Sequence, residues 1–249
     1  MGDIIIEMIK QQKFTNVFQP VFQVNVHLKK IMGYESLIRT PYFKNLDTLF
    51  NLAHISNHVF ELDTASIKNS LRIFNQFFTN NDQPYILINI FPSTIVNPCF
   101  LSFLEKMEKV YPEITKKLVF EINEAENTED IALLKNTTEY LQKRGYLIAL
   151  DDIGKGYSSL KMVVEIEPDI MKIDKFFANG LHKERNKQKL LEAIVQYVDN
   201  QKKIILEGIE YEEDLQVANE IGIDLVQGFL LGKPKPLLEE EKQRILLMK

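Results

Sequence analysis

The chain has 249 residues, of which 45% are hydrophobic and 26% charged, with 10 Gly and 9 Pro, a composition that fits one large globular domain or two small ones. A formal net charge of −5 lacks the basic excess that a nucleic-acid polymer needs, so an anionic small molecule is admitted only through a local cluster of cations or metals. Cys99 is the only cysteine, which excludes an internal disulfide and a cysteine zinc site, and no apolar run is long enough to cross a bilayer.

These bounds predict a cytoplasmic protein without membrane insertion. Residues 1–14 read as a lead-in helix, because Glu7 interrupts the apolar run of MGDIIIEMIK and the layout of a signal peptide is missing. After it one unit recurs: an apolar β-rich run, a polar turn and a helical stretch. The strand runs are VFQPVFQV (17–24), MGYESLIR (32–39), YILINIF (85–91), KLVFEIN (117–123), LIALDDI (147–153), IMKID (170–174), KIILEGI (203–209) and DLVQGFLL (224–231). Amphipathic helices are expected at 49–78, which divides in two, at 129–145 with Gly145 as its stop, and at 184–200. The closing run LLEEEKQRILLMK (237–249) reads as a helix that closes the fold.

Eight strands alternating with helices over about 250 residues predict an α/β protein of the (β/α)8 TIM-like barrel type, with 1–249 as a single domain. The HLKK connection between the first two strands is hairpin spacing, too short for a crossover helix, so the first pair is expected antiparallel. A doubly wound open sheet is the alternative, because local periodicity does not report closure.

Polar residues gather near the C-terminal ends of the apolar runs: Asn89, Glu121, Asp151 with Asp152, Lys172 with Asp174, Glu207 and Gln227. In a barrel those ends meet on one face, where active sites sit. Converging acidic oxygens without Cys or clustered His point to hard divalent cations, and adjacent aspartates suit a pair of metals about 4 Å apart. A lysine among them stays charged and would hold a phosphate oxygen or an attacking water. A two-metal site for a phosphate ester follows.

Taken together, ESLIR (35–39), FEINE (120–124), LDDIGKGYSSL (150–160), PDIMKID (168–174), LEGIE (206–210) and VQGFLLGKP (226–234) resemble the EAL domain, over nearly the whole chain and in the family's order. That family comprises bacterial second-messenger enzymes, cyclic di-GMP phosphodiesterases on a modified (β/α)8 barrel with an antiparallel first strand. The signature triplet stands here as Glu35-Ser36-Leu37, with serine for alanine. The resemblance implies that Glu35, Asn89, Glu121 and Asp151 hold one metal, and that Asp151 bridges to a second completed by Asp152. It implies Lys172 beside the attacking water, Glu207 as general base, and Glu35 as indispensable for catalysis. Arg39 would bind a substrate phosphate, with Gln19 and Gln227 in the substrate site, while Gln227 and Glu210 would also order the water and its surroundings. Glu124 would pin the loop after Asp152, with Asp174 in support. The implied reaction is in-line attack of a metal-activated hydroxide, with two Mg2+ or Mn2+ ions, giving linear pGpG. A homodimer through the helix at KMVVEIEP (161–168) is implied as well.

The chain departs from the family in places. Ile153 and Lys155 stand where Asp-Phe-Gly-Thr-Gly is usual, and Phe91 and Ser93 follow Asn89 where a small polar and a basic residue are common. Plainer readings apply elsewhere. Asp174 reads equally as a helix N-cap, and a serine of Tyr157-Ser158-Ser159 as another, not a nucleophile. His54 and His58 read as surface or half-buried structural residues, Cys99 as small and buried or half-exposed, and FNQFF (74–78) as core. Two other functions compete: a receptor that binds cyclic di-GMP or a protein without turnover, and a barrel hydrolase for another phosphate ester.

Overall fold

The computed structural model describes residues 3–25, 28–78, 83–123, 126, 130–155, 159–198 and 202–238. A lead-in helix, α1 (Asp3–Lys10), precedes the hairpin β1 (Thr15–Asn25) and β2 (Leu28–Arg39). Two helices, α2 (Leu46–Ile55) and α3 (Val59–Phe77), lead to β3 (Tyr85–Ile90). Then come α4 (Pro92–Ile95), α5 (Phe100–Val110), α6 (Pro112–Thr115), β4 (Leu118–Ile122), α7 (Ile131–Lys143) and β5 (Leu147–Ile153). The rest alternates α8 (Ser159–Ile166), β6 (Ile170–Ile173), α9 (Lys175–Ala178), α10 (Arg185–Val198), β7 (Lys203–Leu206), α11 (Glu212–Ile221) and β8 (Leu225–Val226).

The strands close into a barrel in the order β1 to β8. β1 runs antiparallel to both neighbours, pairing Gln19 with Glu35 of β2 and Phe22 with Val226 of β8, and the remaining pairs are parallel. The β1–β8 pairing is the observation that excludes an open sheet. The antiparallel first strand and the division of 49–78 at Asn57 (φ 57°) are as expected from the sequence.

Strand side chains alternate between the faces of a sheet, and here that alternation sorts the residues into layers. The outward set packs under the helices in one large apolar core that includes Ile88, Phe120, Ile148, Leu150, Met171 and Leu206. The inward set forms a plug of Val21, Leu87, Val119, Ala149, Ile170, Ile205 and Leu225, one from each strand except β2. On β2 the matching position is Gly33, where an added Cβ would meet Leu87 Cδ1 and the Tyr85 carbonyl, so no side chain fits. Counting two residues from each plug position toward the C-terminal mouth gives Glu35, Asn89, Glu121, Asp151, Lys172, Glu207 and Gln227. On the reversed strand β1 the same step runs backward and gives Gln19. The barrel thus places every one of these polar residues in the next inward layer.

Five strand ends fall short of expectation, those of β3 and β4 by one residue each. β6 stops at Ile173 because Asp174 accepts from Phe176 N–H at 2.8 Å and caps α9. β7 stops at Leu206 and β8 at Val226, where 209 and 231 were expected. There Gly208 turns through φ 73°, and Gly228 lies against the Ile209 backbone with no space for a Cβ. The apolar residues beyond, such as Ile209 and Leu231, pack into the core without being strand. Gly228→Ala is therefore expected to lower stability by about 1–3 kcal/mol, read as a drop in thermal midpoint, since the clash is with backbone.

α5 and α11 were not anticipated as separate helices. Phe100, Leu104 and Met107 form the buried stripe of α5. Cys99 directly precedes it and is exposed, not buried or half-exposed, because α5 turns inward only from Phe100. The FNQFF segment is core as expected, with Phe74 and Phe78 buried. The expected closing helix at 237–249 lies outside the described residues except for 237 and 238.

Candidate active site

The inward polar layer is centred on Lys172, which is fully buried. Its Nζ lies 2.9 Å from Asp151 Oδ1, 2.9 Å from Glu207 Oε1, 3.0 Å from Glu121 Oε1 and 3.6 Å from Glu35 Oε2. Asn89 Nδ2 donates to Glu35 Oε1 at 3.0 Å and to Glu121 Oε2 at 3.3 Å, and Gln227 Nε2 donates to Glu35 Oε2 at 2.7 Å. Seven of the sequence-predicted residues, Glu35, Asn89, Glu121, Asp151, Lys172, Glu207 and Gln227, thus form one contiguous cluster.

Ser36 points to the opposite face of β2, where its hydroxyl meets Ser70 Oγ of α3 at 2.7 Å. The serine of the triplet is accommodated by a partner hydroxyl, without touching the site. Gln19 faces Glu35 by register and donates to the Gly232 carbonyl at 3.1 Å. Arg39 is half-buried at the end of β2, donating to its neighbour's carbonyl at 2.8 Å, and burial lowers its pKa against the pull of Glu35. Asp174 and Glu210 do not join the cluster. They line a separate cavity of about 380 Å3 with Phe176, Lys187 and Tyr211. Glu124 lies outside the described residues.

The electrostatics follow from burial. Glu121 is pushed well above the ordinary carboxylate range by desolvation, with Lys172 opposing and Glu35 and Asp151 adding to the rise. Glu207 is raised to about 8, again mainly by burial with Lys172 opposing. For Lys172 burial alone would favour the neutral amine, but Asp151, Glu121, Glu207 and Glu35 together outweigh it and hold the ammonium well above its usual value.

This donor set suits divalent cations. Carboxylate oxygens of Asp151, Asp152 and Glu207 lie within 4.8 Å of one another. Glu121 Oε1 and Asp151 Oδ1 are buried and make no well-directed hydrogen bond among the described residues. Four carboxylates stand within 3.6 Å of one buried lysine and Asp152 lies beside two of them, a surplus of negative charge that oxygen-seeking cations would neutralise. The residues present fit a two-cation site.

The residues that depart from the family pattern have structural roles. Phe91 stacks edge-on against Phe50 and His54, with ring centroids 5.5 and 4.7 Å away, and Ser93 N–H donates to Glu126 at 2.8 Å. His54 also lies 3.5 Å from Glu126. Ile153 is buried in the main core. Beside Glu35, Asn89 and Asp151 a cavity of about 220 Å3 opens toward Phe50, Phe91 and Asp63.

Asp63 is a residue that the sequence reading passed over. It is buried, accepts from Phe91 N–H at 2.9 Å, and is raised to about 7 by desolvation, with that hydrogen bond opposing. The available signal was its spacing: Asp63 shares the buried stripe of α3 with Val59, Ile67, Ser70 and Phe74.

The EAL domain profile matches residues 3–234. The chain belongs to the EAL domain family. This EAL domain is 28% identical over 240 residues to the cyclic di-GMP phosphodiesterase PdeA of Borreliella burgdorferi, covering 94% of the chain and 35% of that protein. Among solved structures it is similar to an EAL domain protein of Listeria monocytogenes, at 27% identity and TM-score 0.82, covering 99% of this chain and 98% of that one. A standalone EAL protein of Vibrio cholerae in its c-di-GMP-bound form is 25% identical with TM-score 0.78, covering 89% and 92%. The chain spans 26–53% of the length of the curated relatives it matches. Among the described residues no helix is long and apolar enough to cross a membrane.

Proposed function

We propose that this EAL domain is a metal-dependent phosphodiesterase that hydrolyses cyclic di-GMP to linear pGpG. The observation that carries the reading is the polar layer itself: a complete carboxylate set around one buried lysine, with two buried oxygens lacking directed partners. The phosphodiesterase named among its relatives and the c-di-GMP-bound form of the Vibrio cholerae protein support the substrate.

Glu35, Asn89, Glu121, Asp151 and Asp152 would hold two cations, Mg2+ or Mn2+. When bound, these lower the pKa of water and neutralise charge on the attacking and leaving oxygens. Gln227 and Asn89 fix the Glu35 carboxylate from both sides. Lys172 fixes Asp151 and Glu207 relative to each other. Glu207 would accept the proton of the attacking water once bound cations hold it ionised, since burial in the metal-free site raises it to about 8. Arg39 would pair with a substrate phosphate, with Gln19 and Gln227 lining the approach. The exposed Leu160 and Val164 of α8, at 71% and 63% exposure, support a homodimer across that helix. A cytoplasmic location fits a nucleotide second messenger.

The test is chromatography of cyclic di-GMP incubated with the purified chain and Mn2+ or Mg2+, beside Glu35→Ala. Appearance of pGpG with the unmutated chain alone is the expected result. Intact cyclic di-GMP in both would overturn the enzyme reading. A receptor that binds without turnover is favoured by one observation, the contact of Lys155 with Asp152, and binding without hydrolysis would establish it.

A further inference from the structure

The carboxylate cluster has a cation at each end, and both belong to the chain. Lys172 serves the inner end, at Asp151, Glu121 and Glu207. At the outer end Asp152 has left-handed backbone (φ 55°), and Lys155 N–H closes the turn onto the Asp152 carbonyl at 3.1 Å. That turn brings Lys155 Nζ to 2.8 Å from Asp152 Oδ2. Gly154 between them has φ 100°, and an added Cβ would strike the Phe177 ring, so the turn is held against α9. Lys155 therefore reaches Asp152 from a constrained turn, not from a loose tail.

We propose that Lys155 is a built-in competitor for the outer metal: its ammonium occupies the carboxylate that the second divalent cation needs, so that this cation binds more weakly than the inner one and exchanges with the surrounding concentration. The inference rests on the two-cation reading above. The pair is displaceable. The Lys155 side chain is 65% exposed against 23% for Asp152, so water and salt reach the ammonium and weaken the pair. Even so, a unit positive charge this close to a divalent cation opposes it over a distance at which Coulomb energies are felt in water. Asp152 also shares its cluster with Asp151 and Glu207, so the competition falls on the outer position.

The experiment is a Mn2+ titration of the full chain by calorimetry, without nucleotide, for the wild type, Lys155→Thr and Lys155→Arg. Two classes of Mn2+ are expected in the wild type. In Lys155→Thr the weak class should tighten roughly tenfold with the strong class unchanged, while Lys155→Arg keeps the wild-type pattern. An unchanged weak class, or both classes shifting together, overturns the proposal while leaving the two-cation site intact. Fewer than two Mn2+ bound in every variant overturns the two-cation reading and the proposal with it. Because Lys155 is exposed, the substitution leaves the core untouched, and equal thermal midpoints of the metal-free proteins check this.

Discussion

Lys172→Met is expected to destabilise the metal-free protein by about 3–5 kcal/mol, which for a chain of this length is a fall in thermal midpoint of roughly 10 °C. The reason is asymmetry. Replacing every member of a buried ionic cluster by apolar groups is often harmless, but removing one partner leaves the others charged and buried. Lys172 is the cation within 3.6 Å of Glu35, Glu121, Asp151 and Glu207 together, so its loss exposes four carboxylates to each other. Methionine fills much the same volume, so a cavity does not explain the loss. Two further outcomes follow from the same charges. The destabilisation should be greater at pH 8 than at pH 6, because protonation relieves the repulsion. Mn2+ should also raise the midpoint of Lys172→Met by more than it raises that of the wild type, since the deprived cluster gains more from a divalent cation. A midpoint unchanged in the metal-free variant would mean that the carboxylates are held protonated and that the lysine is not their counter-ion.

That the site could be read from the sequence at all comes from a simple regularity. Each strand from β3 to β8 carries an apolar residue in the plug and a polar one two positions on, as in Val119 then Glu121, Ala149 then Asp151 and Ile205 then Glu207. Strand alternation is a local property, so the acidic strand ends were visible one by one. What joins them is closure and register, which depend on pairings tens of residues apart and, for Phe22 with Val226, 204 residues apart. Gln19 illustrates the limit. VFQPVFQV offers Gln19 and Gln23 with the same spacing, and only the antiparallel register, Gln19 opposite Glu35, places one of them in the polar layer. Asp174 and Glu210 show the converse. They continue the same acidic strand ends, yet the chain has already left the barrel wall at the α9 cap and at Gly208, which turns them toward another cavity. Asp63 was missed for a third reason: a carboxylate on a helix is normally a solvated one, and its burial is set by the β3–α4 turn packing over it.

The stability of the metal-free protein is expected to fall as pH rises from about 5 to 8, by an amount of order a few kcal/mol. Asp63 is held near 7 and Glu207 near 8, both chiefly by burial, against ordinary carboxyl values near 4. A carboxyl whose value is raised by folding keeps its proton in the native state after the unfolded chain has released it. Stability from such a group is fully present below the unfolded value and is lost as pH climbs toward the folded one. The two groups are separable. Asp63→Asn keeps a carbonyl oxygen to accept the Phe91 N–H, and its new amide can donate to Thr94 Oγ1, whose hydroxyl lies beside the Asp63 carboxyl. This variant should lose part of the slope between pH 5 and 7, where Glu207 still contributes, and retain that between 7 and 8. Mn2+ acts on the other half: cations need ionised carboxylates, so the stabilisation it confers should grow from pH 6 to 8 in both proteins. Chemical denaturation at pH 5, 6, 7 and 8, with and without Mn2+, measures all of this. A profile for Asp63→Asn that parallels the wild type would show that Asp63 is already ionised in the folded state, with the Phe91 hydrogen bond strong enough to outweigh its burial.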